Sequence, residues 1–276
     1  MGDGSGRTVV ITGGAGGLGR AMARGLLTEG HRVALLDRDR DALAASETAL
    51  QEAGGVLLAV AGDVSQEADC EGAVARIEAC FGPVEVLINN AGIGPSSIRP
   101  DAELNLPSIE ELTPALWSQF FAINLTGAFL MLRSVLPGMR RGGWGRVINN
   151  TTSFFTMLRV LPYGATKAAL ESASAVWAKE LEGSGVTVNV VVPGGPTDTA
   201  FIAQESGIKR EGMLRPEVMV GVVRWLVSDQ ADSVTGRRFV AANWDDGLPG
   251  PEAAEHCGAP IGWPELAAST VIWPDD

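Results

Sequence analysis

The constraint that narrows the fold most begins at residue 7. RTVVITG is dominated by apolar, β-branched residues without polar alternation, as in a strand buried on both faces. It passes without a linker into a glycine-rich turn and then into GLGRAMARGLLTEG, a segment of helical period that stops at Gly30. The alternation then repeats. HRVALLD, VLLAVAGD, VEVLINNAG, GRVINNTT, VTVNVVVPG and RRFVAA read as strands. Between them lie RDALAASETALQEAGG, SQEADCEGAVARIEACFG, a long helix around 113–139, a helix from about 162 and another near 216–228. This order predicts an α/β fold, a doubly wound parallel sheet of about seven strands with helices on both faces. No linker and no repeat of about 20–50 residues interrupts it, so a single domain over 1–276 is expected.

The turn after the first strand, TGGAGGLG from Thr12 to Gly19, opens the first helix. Small residues there let the backbone approach a diphosphate, and the helix N-terminus offers N–H groups and the positive end of its dipole. In this strand–turn–helix setting the motif points to a Rossmann-type dinucleotide site. Asp37 closes the second strand, about twenty residues further on, where a carboxylate accepts from both ribose hydroxyls of an adenosine and repels a 2′-phosphate. That selects NAD over NADP, although Arg38 beside it could pair with a phosphate.

Composition excludes several other classes. A formal net charge of −12 argues against nucleic acid or an anionic membrane as a main partner. No continuous apolar run reaches the length of a membrane span, and MGDGSG is neither a signal peptide nor a myristoylation site. Cys70, Cys80 and Cys257 have no metal-ligand spacing and leave an odd thiol, which fits a reducing cytoplasm and no metal. With only His31 and His256, a histidine-centred triad or metal site has little material.

The chain has one tyrosine, Tyr163, and Lys167 follows four residues later, on the same face if a helix begins at Pro162. An ammonium at that spacing favours the phenolate and is expected to pull the phenol below its ordinary pKa of roughly 10. Such a phenol is a general base.

TGGAGGLG, NNAG at 89–92 and YGATK at 163–167, in that order, resemble the short-chain dehydrogenase/reductase family in its conventional branch of about 250 residues. The resemblance covers about residues 7 to 241. It implies that Gly13, Ala15, Gly16, Gly17, Leu18 and Gly19 line the cofactor diphosphate, and that Asp37 holds the adenosine ribose. Asp63 and Val64 match the adenine segment. Asn90, Ala91 and Gly92 match the stretch along the second ribose, with Asn89 structural. Pro193, Gly194 and Pro196 match the wall behind the nicotinamide, and the threonine of that segment falls at Thr197 or Thr199. Tyr163 matches the catalytic base. Lys167 matches the residue that binds the nicotinamide ribose and lowers the tyrosine pKa, and Asn124 the residue whose backbone holds a water of the proton relay.

The family serine that hydrogen-bonds the substrate oxygen has two counterparts. Strand register points to Thr152, while residue type and a shortened loop point to Ser153, and the balance tips slightly to Ser153. The activity implied is NAD-dependent interconversion of a secondary alcohol and a ketone. The alternatives are a lyase or epimerase using the same tyrosine and a non-catalytic NAD(H)-binding relative.

Phe154, Phe155, Met157, Leu158, Phe201, Ile202, Met213 and Leu214 suggest an apolar or alicyclic substrate, with most of them serving as packing residues. The stretch 94–112 reads as a solvated loop or part of the cleft rim. Arg99 and Arg159 could meet a substrate carboxylate, with surface charge as their other role. Helices around 113–139 and 162–183 match those that pair subunits in the family, so a homo-oligomer, a tetramer foremost, is expected. The C-terminal segment 243–276 shows neither a long helix nor a strand period. It carries three of the chain's seven tryptophans, Trp244, Trp263 and Trp273, and so is expected to dock as an extended strap on its own domain or a neighbouring subunit.

Overall fold

The computed structural model describes residues 6–267. Among the described residues eight strands form one sheet: β1 (Thr8–Thr12), β2 (Arg32–Asp37), β3 (Val56–Ala61), β4 (Val86–Asn89), β5 (Gly145–Asn150), β6 (Val186–Val192), β7 (Arg237–Val240) and β8 (Gly258–Pro260). Their spatial order is β3-β2-β1-β4-β5-β6-β7-β8. The first seven run parallel, as the alternation requires, and β8 joins β7 antiparallel. The chain steps outward from β1 to β3 and then returns to lay β4 against β1. That reversal opens a crevice at the carboxyl ends of β1 and β4.

Successive residues of β1 serve opposite layers. Val9 and Ile11 pack with Met22 and Leu26 of helix α1 (Gly17–Thr28) and with Val223 and Leu226 of α8 (Val220–Val227). Val10 packs on the other face with Ile77 of α3 (Glu67–Phe81) and with Met131 and Val135 of α5 (Gly127–Gly142). Helix α2 (Arg40–Leu50) completes the first layer through Leu43 and Leu50.

The long helix expected around 113–139 is two helices, α4 (Pro114–Phe121) and α5, joined by a π turn at Ala122–Thr126. Thr113 accepts from Leu116 N at 3.2 Å and fixes where α4 begins. The helical stretch Pro114–Gly142 is long and apolar enough to cross a membrane by length and composition alone. Its most apolar 18-residue window has mean hydropathy 1.5, and half of that window is buried within the fold, as in a core helix.

Residues 94–112 are an ordered excursion. Arg99 pairs with Glu111 at 2.7 Å and donates to Asn105 O at 2.8 Å, and Ser108 and Glu111 form a capping box.

Two expectations for the C-terminal segment are corrected. It forms a short helix, α9 (Gly250–Cys257), and then β8, the eighth strand. Three residues, one of them proline, carry no readable strand period. The edge position tolerates Pro260 because its missing N–H is not needed there. Trp244 lies 5.8 Å from Trp225, and Ala253, Cys257 and Ile261 are buried, so this segment packs on its own domain. Trp273 lies outside the described residues.

Candidate active site

The glycine loop is held from both sides. Gly13 has φ +60°, and a Cβ there would come within 2.8 Å of Ala91 Cα. At Gly19 a Cβ would strike the Gly13 carbonyl, so the first turn of α1 sits directly on the loop. Thr12 Oγ1 accepts from Asn90 N and Ala91 N, both at 3.0 Å, while Asn90 Nδ2 donates to Thr12 O and Gly13 O. These bonds tie the β1 and β4 ends together across the crevice. Asp37 accepts from Ala15 N at 3.2 Å and from Asp39 N at 3.1 Å, and Arg38 beside it is exposed. Asp63 accepts from Ser65 N and Ser65 Oγ, which turns the chain after β3.

One cleft of about 830 Å³ opens over this loop. Of the predicted residues, Gly13, Gly16, Gly17, Leu18, Asp37, Asp63, Val64, Asn90, Ala91, Gly92, Pro193, Gly194, Pro196 and Thr197 line it, together with Thr152, Ser153, Tyr163 and Lys167. Ala15, Gly19 and Asn124 stand behind the wall. The small-residue cradle, the Asp37 carboxylate at its far end and the lysine at its near end fit a nicotinamide dinucleotide.

Tyr163 is the first residue of α7 (Tyr163–Glu180), and Lys167 lies one turn on, with its Nζ 5.8 Å from the phenol ring centre. Lys167 is almost fully buried and donates to Asn150 O at 2.7 Å. Burial pulls its ammonium down to about 8. The phenol departs from the sequence expectation. Burial raises the Tyr163 pKa well above its ordinary value, a hydrogen bond with the Thr152 side chain pulls it back, and the Glu103 carboxylate pushes it further up. Desolvation of the ring, which sequence spacing does not reveal, is the largest cause.

Strand β5 ends at Asn150, so Thr152 and Ser153 lie beyond it and both reach the cleft. Their hydroxyls have different partners. Ser153 caps the short helix α6 (Phe154–Met157), accepting from Thr156 N at 3.1 Å and lying 2.9 Å from Thr156 Oγ1. Thr152 caps no helix and lines the same cleft as Tyr163, so its hydroxyl is the less engaged of the two.

Asn124 occupies the π turn. Its Oδ1 accepts from Ile93 N at 2.8 Å, and its Nδ2 donates to Ile93 O and Thr166 Oγ1, both at 3.0 Å. The side chain thereby joins the helix break to the end of β4 and to α7.

Of the two threonines after β6, Thr197 donates to Gly195 O at 3.2 Å. Thr199 approaches the diphosphate loop, where a Cβ at Gly17 would lie 2.5 Å from its methyl. Both line the cleft. On the substrate side, Phe155, Phe201 and Ile202 reach the cleft as expected, whereas Phe154, Met157, Leu158, Met213 and Leu214 do not. The 94–112 excursion supplies Pro95, Glu103, Leu104 and Leu106, which makes it part of the rim. Arg159 also lines the cleft, lying over Phe155, while Arg99 is engaged within the excursion.

Sequence reasoning missed Glu103. It accepts from Ser96 Oγ at 3.2 Å, and burial raises its pKa. Its only sequence signal is its place in a lengthened stretch. Sequence reasoning also missed Glu171 and Arg238, a buried pair 2.6 Å apart behind Thr152. Glu171 continues the i, i+4 series of Tyr163 and Lys167, which is its only sequence signal.

The sequence model of the short chain dehydrogenase family matches residues 7–207. The chain belongs to the short-chain dehydrogenase family. The 2-(S)-hydroxypropyl-CoM dehydrogenase 3 of Xanthobacter autotrophicus is 32% identical over 84% of this chain and 93% of its own length. The 2,5-dichloro-2,5-cyclohexadiene-1,4-diol dehydrogenase of Sphingobium indicum is 31% identical over 84% and 93%. Among solved structures, the 3-ketoacyl-(acyl-carrier-protein) reductase of Brucella melitensis complexed with NADH superimposes with a TM-score of 0.71. It shares 27% identity and covers 84% of this chain and 95% of its own. As a short-chain dehydrogenase the chain is an oxidoreductase that takes a nicotinamide dinucleotide.

Proposed function

We propose that this short-chain dehydrogenase interconverts a secondary alcohol and a ketone with NAD, on a substrate with an apolar or alicyclic body. The observation that carries the reading is the meeting of Thr152, Tyr163 and Lys167 at the near end of a cleft whose far end is the Asp37-bound glycine loop. NAD held along that cleft would supply the hydride acceptor for the carbinol carbon. Tyr163, as phenolate, removes the hydroxyl proton of the alcohol, and Thr152 donates to the substrate oxygen to fix its position. In the reverse direction the Tyr163 hydroxyl returns the proton to the carbonyl oxygen.

Lys167 sits behind the phenol, and its charge favours the phenolate against the burial that opposes it. Each pKa unit of that opposition costs about 1.4 kcal/mol, so the positive charge of an oxidised nicotinamide is a needed second contribution. Thr199 serves the diphosphate more directly than Thr197. Phe155, Phe201, Leu104 and Leu106 favour an apolar body.

Asp37 favours NAD over NADP. The expected preference is at least tenfold in Kd, or about 1.4 kcal/mol, and Asp37→Ala narrows it. Absorbance at 340 nm with a panel of secondary alcohols and both dinucleotides tests the whole reading. No signal with any alcohol or ketone would sink the activity. Equal use of NADP would show that Arg38 governs the ribose end.

A further inference from the structure

Behind the cleft, Thr151, Thr152 and Phe154 gather around a single guanidinium. Arg238, on β7, donates from Nη2 to Thr152 O at 2.6 Å and from Nη1 to Thr151 Oγ1 at 3.2 Å. The same Nη1 donates to Glu171 Oε2 at 2.6 Å, and Thr151 Oγ1 donates to that carboxylate oxygen at 2.9 Å. The guanidinium also lies 4.2 Å from the centre of the Phe154 ring. Glu171 is fully buried and the Arg238 side chain is 6% exposed. The C-terminal segment closes the arrangement from outside, with Gly262 N donating to Glu171 Oε1 at 3.5 Å and the Trp263 ring 5.9 Å from Phe154.

We propose that the Arg238–Glu171 pair, closed by the C-terminal segment, is a positioning device that fixes Thr152 in the cleft it shares with Tyr163. The inference rests on the reading of Thr152 as the donor to the substrate oxygen. Buried ion pairs are poor stabilisers, and well-packed apolar residues of similar volume often do as well or better. What such residues cannot supply is direction. A guanidinium is a rigid fork, and here it serves two successive residues at the end of β5, where Thr151 N makes a last bond to Val191 O of β6 at 3.2 Å. Glu171 orients the fork, because it projects from the helix that begins with Tyr163 and carries Lys167 one turn before it. Base, ammonium and clamp therefore share one rigid element. Arg238 and Glu171 touch neither the substrate nor the reacting atoms, so they are positioning residues.

The single tyrosine makes the test direct, since a [13Cζ]tyrosine label gives one resonance. The variant is Arg238→Met/Glu171→Leu, which removes the fork and keeps the volume. Released from its donor, Thr152 should shift its hydroxyl relative to the phenol. The resonance of the NAD-loaded protein should then shift and its ionisation midpoint rise by about one pH unit. kcat should fall by about tenfold, while Kd for NADH changes by less than about twofold. A folded double variant whose resonance and midpoint match the parent would overturn the proposal. Should that variant not fold, Arg238→Lys keeps the charge but cannot place donors on both residues. Its resonance should shift in the same sense, and an unchanged resonance would equally overturn the proposal. If the parent oxidises no alcohol, the reading of function fails, while the resonance still decides whether the pair positions Thr152.

Discussion

The Tyr163 phenol is contested by its neighbours, and two of them make quantitative predictions. Glu103 is a like charge that disfavours the phenolate. Glu103→Gln removes that charge and should lower the tyrosine pKa, moving the acid limb of the kcat/KM profile for alcohol oxidation to lower pH. An unmoved limb would show that Glu103 serves only the loop through Ser96. Lys167 predicts a stability effect. Its pKa is about 8 in the fold against 10.5 ordinarily. Below pH 8 the charge is present folded and unfolded, so burying it costs in full. Between 8 and 10.5 the unfolded chain holds a proton that the native state has released, so this part of the stability rises with pH. Lys167→Met should abolish turnover yet raise stability at pH 7 by on the order of 2 kcal/mol, and with it the melting temperature, the gain shrinking toward pH 10. Melts at both pH values check it. The pair itself was legible from spacing alone. The choice between Thr152 and Ser153 was not, because it depends on where β5 stops and on which hydroxyl caps α6. Both are tertiary outcomes.

Among the elements, the strands that carry the cleft were legible because burial on both faces leaves unbroken apolar runs. The π turn was not, since Asn124 breaks the helix through its bonds to Ile93, thirty-one residues away in sequence. Helix α9 and strand β8 were also hidden, being too short to display a period. They nevertheless cover the β7 edge and bury Ala253, Cys257 and Ile261. Deleting residues 250–276 should therefore lower the melting temperature by about 5 °C or more and reduce kcat more than it weakens NAD binding. Unchanged melting and kinetics in the truncated protein would make the segment a passenger.

For the whole molecule, the helices on one face leave apolar side chains outside. Trp117 on α4, Phe129 on α5 and Val176 on α7 are all exposed. We propose that this surface pairs with a second copy and that the assembly is a tetramer, so Phe129→Glu should lower the mass seen by light scattering. A monomeric parent at micromolar concentration would end that idea. The excursion at 94–112 has a separate consequence. It leaves the core at Ile93, which Asn124 grips by its backbone, and re-enters at Thr113, which caps α4. Both junctions are fixed by residues outside the excursion, and none of the sheet depends on what lies between them. The stretch is thus a replaceable cassette. Exchanging it for another of different lining should retune which alcohols are accepted while leaving the dinucleotide groove as it is, provided the replacement keeps a carboxylate at Glu103, so selectivity in this scaffold can diverge by changing one loop.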